Sequence, residues 1–428
     1  MIADLLARLA GRTQAADVLA TTDESLVVAL DGASVVQAIG SMEEGVAVRA
    51  LVEGRLGYAA TTDADLDLLV DRAIASAAGG LELPLLAPGP SALPRLETHA
   101  PRAAAAGVRE LAELARQLAG RLERDGRGVT VRVEKSAGRT RVGNSRGVDA
   151  AYDTSLVAAG VTVTRQRDGV AVHGHLSGID LPEPDAIEQL VADIEQRFAW
   201  ATAPVPAPAS PAPVLLLPSA ARALLAPVLE ALIAEPGAGL DALLIEGLDE
   251  PVLHGAITLR DDPWLEGRPA SRPVDDEGVA TWPQVMVERG VVRRLAADLE
   301  AATLLHRPAS GHARWPIFGT PRAALSNVLL APGESDLAEL LRLMGDGLLL
   351  ESLAGASGIA RSGAFHLPVA LGYRVDGGEV TGRVDGAVVS GNAFELFASL
   401  GGLGRERRWV GSCFLPAVLA DRIEVAAP

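Results

Sequence analysis

The side chains best suited to chemistry lie in two acidic turns of this 428-residue chain. Asp261-Asp262-Pro263 ends one apolar run, and Asp275-Asp276-Glu277-Gly278 begins the next. Carboxylates this dense could ligate a hard cation through oxygen. They could equally accept backbone N–H groups, the ordinary work of Asp at a turn. Pro263 cannot donate to a ladder and Gly278 tolerates positive φ, so both clusters fall at turn signals. Between them Gly267, Pro269, Ser271 and Pro273 break any regular element. Other candidates are sparse. Cys413 is the one cysteine, and the usual fate of a free Cys is a small buried core residue. His173 and His175 share a strand face, but two ligands make a poor metal site. His254, His306, His312 and His366 are scattered and suggest no role. Arg314-Trp315 and Arg405–Trp409 combine cation and ring, and each Arg is expected to stack on its own Trp.

The elements that must position these residues read as α+β. Ile2, Leu5, Leu6 and Leu9 lie at helical spacing. Ser25–Leu30 and Ser34–Ile39 flank Asp31-Gly32, and Val46–Val52 and Arg55–Ala60 flank Glu53-Gly54, so four short strands are expected as hairpins. A helix follows with Leu66, Leu69, Val70 and Ala73 on one face. After a Pro/Ala-rich stretch at 81–106 comes a helix bearing Val108, Leu111, Leu114, Leu118 and Leu122. Five strands are then expected, at Val129–Val133, Arg139–Val142, Ala151–Ala158, Val161–Arg165 and Val170–His175, closed by a helix at Ala186–Trp200. Helix, strands, helix thus occurs twice and suggests a duplicated N-terminal domain, 1–200. Residues 201–213 carry Pro at nearly every second position, which favours extended chain and reads as a linker.

The second domain, 214–428, opens with a strand at Val214–Leu217 and a helical run to Ala234. Further strands are expected at Val285–Val287, Val291–Leu295, Ser326–Leu330, Gly347–Leu350, Ala364–Val369, Leu371–Val375, Glu379–Val384, Ala387–Val389, Trp409–Leu415 and Arg422–Val425. Strands and helices do not alternate as in a doubly wound fold, so this domain reads as a mixed or antiparallel sheet with helices.

Composition narrows the function. The net charge is −17, which argues against a nucleic-acid partner because phosphate binding needs basic surface. The chain is 49% hydrophobic but only 3% aromatic, so its cores must be built from Ala, Val and Leu. One cysteine allows no internal disulfide, which fits a reducing compartment. The first residues lack a basic segment ahead of an apolar core, and no stretch reaches the ~18 apolar residues of a membrane span. A cytoplasmic protein without membrane contact is expected.

The order of the motifs is more specific than any one of them. D-D-P, a Gly/Pro/Ser loop, D-D-E-G, a strand and the Glu288-Arg289-Gly290 turn together resemble the TldD/PmbA family, the modulator of DNA gyrase proteins. Gly45–Thr62 is similar to that family's G-x-x-x-R, G-x-x-G-x-x-x-T segment, and Asn144–Gly147 to its N-S-x-G turn. Ser326-Asn327-Val328 with Pro332-Gly333, Gly363-Ala364-Phe365, and Ser390-Gly391-Asn392 match further pieces in the same order. The resemblance implies a metallopeptidase built from two kinds of subunit. TldD-like subunits carry H-E-x-x-x-H on the helix after the first strand of the second domain. Two His and a C-terminal Cys hold the metal, and the Glu serves as general base.

Here the matching window, Pro218–Glu235, contains no His, and Pro227 interrupts it. Glu230 has no His neighbour. Val410-Gly411-Ser412-Cys413 resembles the V-G-T-C of the metal-binding cysteine, which leaves Cys413 as a weak metal candidate. The likeness therefore implies a TldE/PmbA-like half, without catalytic residues or a cofactor of its own. Its expected partners are a TldD-like subunit that carries the zinc and an extended peptide. Asp262, Asp275, Asp276, Glu277, Gly278 and Asn392 would bind the peptide or line its chamber. Two other readings stand beside this one: a stand-alone peptide-binding or scaffold protein, and a hydrolase holding a hard cation on Asp261, Asp262, Asp275, Asp276 or Glu277.

Overall fold

A computed structural model describes residues 1–63, 65–84, 88–234, 248–356 and 359–426. Helix α1 (Ile2–Leu9) leads to β1 (Ala15–Asp31), β2 (Ser34–Val52), β3 (Arg55–Thr61) and α2 (Leu66–Ser76). After α3 (Pro101–Ala105) the plan recurs as α4 (Val108–Leu122), β4 (Arg127–Asn144), β5 (Asp149–Arg165), β6 (Val170–Gly178) and α5 (Pro184–Trp200). All six strands form one sheet of order β3-β2-β1-β4-β5-β6, with β1 and β4 antiparallel at its centre.

Each repeat holds three long strands, not the four and five short ones expected. Ser34–Ile39 and Val46–Val52 belong to the single strand β2, while β4 and β5 each absorb two of the expected strands. The internal glycines misled because they mark close approach, not a break. A Cβ on Gly138 would lie 2.3 Å from the carbonyl oxygen of Thr22 on the neighbouring strand.

Strand alternation sends β1 into two environments. Ala16, Val18 and Ala20 pack under α1 and α2 with Leu69 and Val70. Val28 and Leu30, further along the same face, join α4 and α5 in a core that continues into Leu215, Leu349 and Tyr373 of the second half. The opposite face carries Asp17 and Leu19, and Leu19 packs with Val142, Val274 and Trp315. The N-terminal sheet is thus covered on that side by the segment holding the second acidic turn.

The second half contributes β7 (Pro204–Val205), β8 (Ala212–Leu216) and α6 (Pro218–Ala231), then β9 (Leu259–Asp261), β10 (Gln284–Glu288) and β11 (Val291–Val292). A helix at Leu299–Leu304 precedes β12 (Ala313–Arg314), β13 (Arg322–Ala323) and β14 (Val328–Leu330). A second helix, Leu337–Met344, leads to β15 (Gly347–Leu353), β16 (Ala364–Asp376), β17 (Glu379–Val384) and β18 (Val388–Asn392). The helix Ala393–Ala398 is followed by β19 (Leu400–Val410) and β20 (Cys413–Ala426).

Twelve of these strands make a mixed sheet in which β20 contacts β14, β8, β18 and β19. Trp409–Leu415, expected as one strand, is a hairpin: Val410 faces Cys413 across a turn where Gly411 takes φ +60°. Residues 201–213 lie on this sheet. Pro204-Val205 pairs with Arg383-Val384, and Ser210 Oγ donates to Glu424 at 2.6 Å.

Candidate functional site

The two acidic turns are brought together by β9, whose last residue, Asp261, pairs with Gln284 on one side and Val328 on the other. Asp261 is buried: Oδ1 accepts the Ser326 N–H at 2.7 Å, and Oδ2 lies 3.2 Å from His312 Nε2. Nδ1 of His312 lies 2.8 Å from Ser310 Oγ, so a histidine that suggested no role is built into the core beneath the acids. Asp262 closes an Asx turn, accepting the Trp264 N–H at 3.0 Å, and meets Arg260 at 3.3 Å.

The second turn is buried throughout. Asp275 Oδ1 accepts the N–H groups of Glu277 (3.0 Å) and Val279 (2.9 Å), and Oδ2 accepts that of Ala313 (3.1 Å). Asp276 Oδ2 accepts the Trp315 N–H at 2.9 Å. Gly278 takes φ +85°, with the Val148 side chain 3.0 Å from where a Cβ would stand. Asn392, at the end of β18, caps the helix Ala393–Ala398 by accepting the Phe394 N–H at 2.9 Å. The structure therefore places Asp275, Asp276 and Asn392 on backbone N–H groups. Gly278 provides the left-handed turn between them and the N-terminal sheet.

Glu277 reaches furthest. It is 0% exposed, and its Oε1 accepts from Arg49 Nη1 at 2.6 Å while Oε2 accepts the Leu299 N–H at 2.7 Å. Arg49, on β2, also donates Nε to both oxygens of Asp17 at 3.1 Å, and its Nη2 bonds Asp17 Oδ2. Asp17 and Arg49 face each other directly in the β1–β2 register. The guanidinium stands 5.5 Å from the Trp315 ring centre.

Two buried guanidiniums, Arg49 and Arg272, serve several buried acids here. Burial raises Asp17 despite Arg49, and raises Asp275 to about 6 and Glu277 to about 8. Burial also raises Asp298, which caps the helix Leu299–Leu304 through the Ala301 N–H. The charged form of each carboxyl loses hydration that a guanidinium, Arg272 for Asp275 and Arg49 for Asp17, Glu277 and Asp298, only partly replaces. Arg49 was missed because its partner is 228 positions away; the signal available was a lone Arg in an apolar strand.

Helix α6 and Cys413 sit where the family's metal site would be. Cys413 is buried, burial raises its thiol, and Arg222 of α6 lies against it. Metal ligation needs the thiolate, which burial disfavours and the Arg222 guanidinium only partly restores. Among the described residues no group of three His, Cys, Asp or Glu side chains is arranged to hold a metal. The described residues there, one buried thiol and a helix without imidazole, do not fit a zinc ion. Glu235, which closes the expected window, lies outside the described residues.

A cleft of about 400 Å³ opens at the first turn of α6, between β6, α5 and β19. His173 and His175 line it, together with Pro218 and Ser219 of the first turn of α6. Arg197 bonds Glu351 at 3.0 Å, and Arg408 bonds Asp193 at 3.1 Å. Among the described residues Arg268 has no such carboxylate partner. Its guanidinium stacks 3.7 Å from the Trp409 ring centre and donates to Ser177 O at 2.8 Å and to Gly411 O at 3.2 Å. Burial pushes it down to about 10, so it stays charged at neutral pH. Trp409 thus stacks on an Arg distant in sequence and not on its neighbour Arg408, and Trp315 likewise takes Arg49 and not Arg314.

Family models match three parts of the chain: PmbA/TldA metallopeptidase domain 1 at 16–77, the central domain at 101–197 and the C-terminal domain at 209–427. A curated relative named metalloprotease, from Methanothermobacter thermautotrophicus, is 32% identical over 174 residues, 40% of this chain and 38% of that protein. The metalloprotease PmbA of Escherichia coli O157:H7 is 22% identical over 66% of this chain and 61% of its own length. Among solved structures, TldE from Thermococcus kodakarensis superposes with a TM-score of 0.86 at 19% identity, over 99% of each chain. A Thermotoga maritima protein described as a modulator of a DNA gyrase also reaches 0.86, at 22% identity and 99% coverage of both chains. These two share the fold.

Proposed function

This chain belongs to the PmbA/TldD metallopeptidase family, and from that premise we propose that it is a TldE/PmbA-like, non-catalytic subunit of a two-subunit metallopeptidase. It pairs with a TldD-like chain that carries the zinc, and together they enclose and process unfolded peptides in the cytoplasm. The observation that carries this reading is α6 itself, packed on the strand that begins at Cys413 and carrying Arg222 but no imidazole where a catalytic subunit needs metal ligands. A fixed positive charge there opposes cation binding, and α6 offers no imidazole to hold one. Without a metal-bound water the chain has no nucleophile ready for peptide hydrolysis near neutral pH. What it supplies is surface: strand edges and a cleft able to hold an extended chain.

Co-expression with a TldD-like chain tests the proposal. The two should copurify, peptide cleavage should require both, and zinc should be found at one per pair. The isolated chain should contain no stoichiometric zinc and cleave no unfolded peptide. One zinc per isolated chain, lost in Cys413→Ala, would overturn the assignment.

A further inference from the structure

Strand β6 is the last strand of the N-terminal sheet, and its outer edge borders the cleft that holds Arg268. Part of that edge is already used. Arg268 Nη1 donates to Ser177 O at 2.8 Å, and Gly267 O accepts the Ile179 N–H at 3.2 Å. Both groups, Ser177 in β6 and Ile179 just past its last residue, point away from β5. Backbone groups alternate in direction along a strand, so His173 and His175 turn their N–H and C=O the same way, along the open part of the edge. A Cβ on Gly174 would lie 2.5 Å from Leu190 of α5, so the helix closes one wall of the cleft. Trp409, stacked 4.8 Å from Phe414, stiffens the other.

We infer that this edge is a receptor site for the C-terminal end of an extended peptide, whose terminal carboxylate pairs with Arg268. An added strand would bond to His173 and His175, but it cannot continue past Ser177, because Gly267 and Arg268 occupy the edge there. The ligand chain must end at that point. A strand running parallel to β6 ends there in a carboxylate; one running antiparallel ends in an ammonium group.

The charge of the site decides between them. Arg197 and Arg408 are matched by Glu351 and Asp193. Among the described residues no carboxylate stands within ion-pair distance of Arg268, and its buried Nε has no hydrogen-bond partner. A stacked guanidinium with donors to spare suits a carboxylate and repels an ammonium. A cleft of about 400 Å³ lies within the ordinary range of ligand pockets. The inference rests on reading the chain as a peptide-handling subunit.

The test uses the isolated full-length chain and fluorescence anisotropy. The probe is a six-residue Ser/Thr/Val peptide, labelled at its N-terminus, with either a free or an amidated C-terminus. The free acid should bind, and the amide should bind at least about tenfold more weakly. Arg268→Gln should abolish the difference between the two, while Arg268→Lys should keep part of it. His175→Pro removes an outward N–H without touching the β5 ladder and should weaken both peptides.

Equal binding of acid and amide, or no binding of the acid up to about 1 mM, overturns the site. So does Arg268→Gln that keeps the wild-type thermal midpoint and still prefers the acid. If that variant fails to fold, the acid–amide comparison on the wild type decides. Acetate competing as well as the peptide would leave a small-anion site and overturn the peptide assignment. A chain that discriminates acid from amide but pairs with no TldD-like subunit would refute the assembly and keep this site. A chain that pairs and processes peptide without discriminating would do the reverse.

Discussion

Arg49→Met tests whether the buried ion cluster holds the two halves of the chain together. Met is unbranched and apolar, so it keeps the contact with Trp315 while removing every bond to Asp17 and Glu277. Both acids are then left at 0% exposure without a cation. Breaking a buried pair from one side costs about 3–5 kcal/mol, because the remaining charge is neither hydrated nor matched.

The acids can escape part of that cost by binding protons, which gives the prediction its pH dependence. Asp17, Asp275, Glu277 and Asp298 all have folded values above their ordinary ones. The folded chain therefore keeps protons that the unfolded chain has released, and this contribution to stability falls as pH rises from the ordinary carboxylate range towards the raised value of about 8 for Glu277. Removing Arg49 raises Asp17, Glu277 and Asp298 further, at about 1.4 kcal/mol per pH unit for each proton. Urea unfolding followed by tryptophan fluorescence at pH 5.5 and pH 8 should show the full loss at pH 8 and a smaller one at pH 5.5. Adding Asp17→Asn and Glu277→Gln should recover at least about 2 kcal/mol. A loss below about 1 kcal/mol at both pH values, or a loss unchanged by the two added substitutions, would refute the reasoning.

The acidic turn supplies the remaining predictions. Asp276→Asn keeps an oxygen for the Trp315 N–H and should change unfolding stability by less than about 1 kcal/mol, with peptide processing by the assembled pair unchanged. Asp275→Asn sets an amide donor against one of three backbone N–H groups, and chemical denaturation at pH 7.5 should show a loss of about 1–3 kcal/mol. Gly278→Val combines a strained φ with a methyl pressed on Val148, and its thermal midpoint should fall by the equivalent of about 1–3 kcal/mol; Gly278→Asn should lose less, since Asn tolerates the left-handed region.

Much of this molecule is legible from local pattern. Helical spacing of Leu and Val is sufficient for α1, α2, α4 and α5, since an amphipathic stripe needs only a neighbour to cover it. The doubled helix–strands–helix order shows in the sequence because each half repeats the same periodicities. The Glu288-Arg289-Gly290 turn is equally readable: Arg289 takes φ +50° and Gly290 φ +83°. Strand lengths were not readable, because Gly138 and Gly45 look like breaks until Thr22 on the neighbouring strand and Ile317 from the second half show why a side chain is excluded.

Part of the acids' chemistry was local, since Asp262 and Asp275 accept N–H groups two to four residues on, as Asp does at a turn; the rest was not. A string such as Asp275–Glu277 is the same whether it faces water, a metal or backbone N–H groups. The choice is made by Ala313, Trp315, Leu299 and Arg49, none of which lies near it in sequence. The same holds for Arg268, whose ring partner Trp409 and carbonyl partner Ser177 come from opposite halves of the chain. Sequence by itself determined the element types, the family and the lack of imidazole on α6, all of which depend on residue identity at short range. Only the tertiary structure decided which charges are matched, since desolvation and pairing depend on what folding brings within a few ångströms.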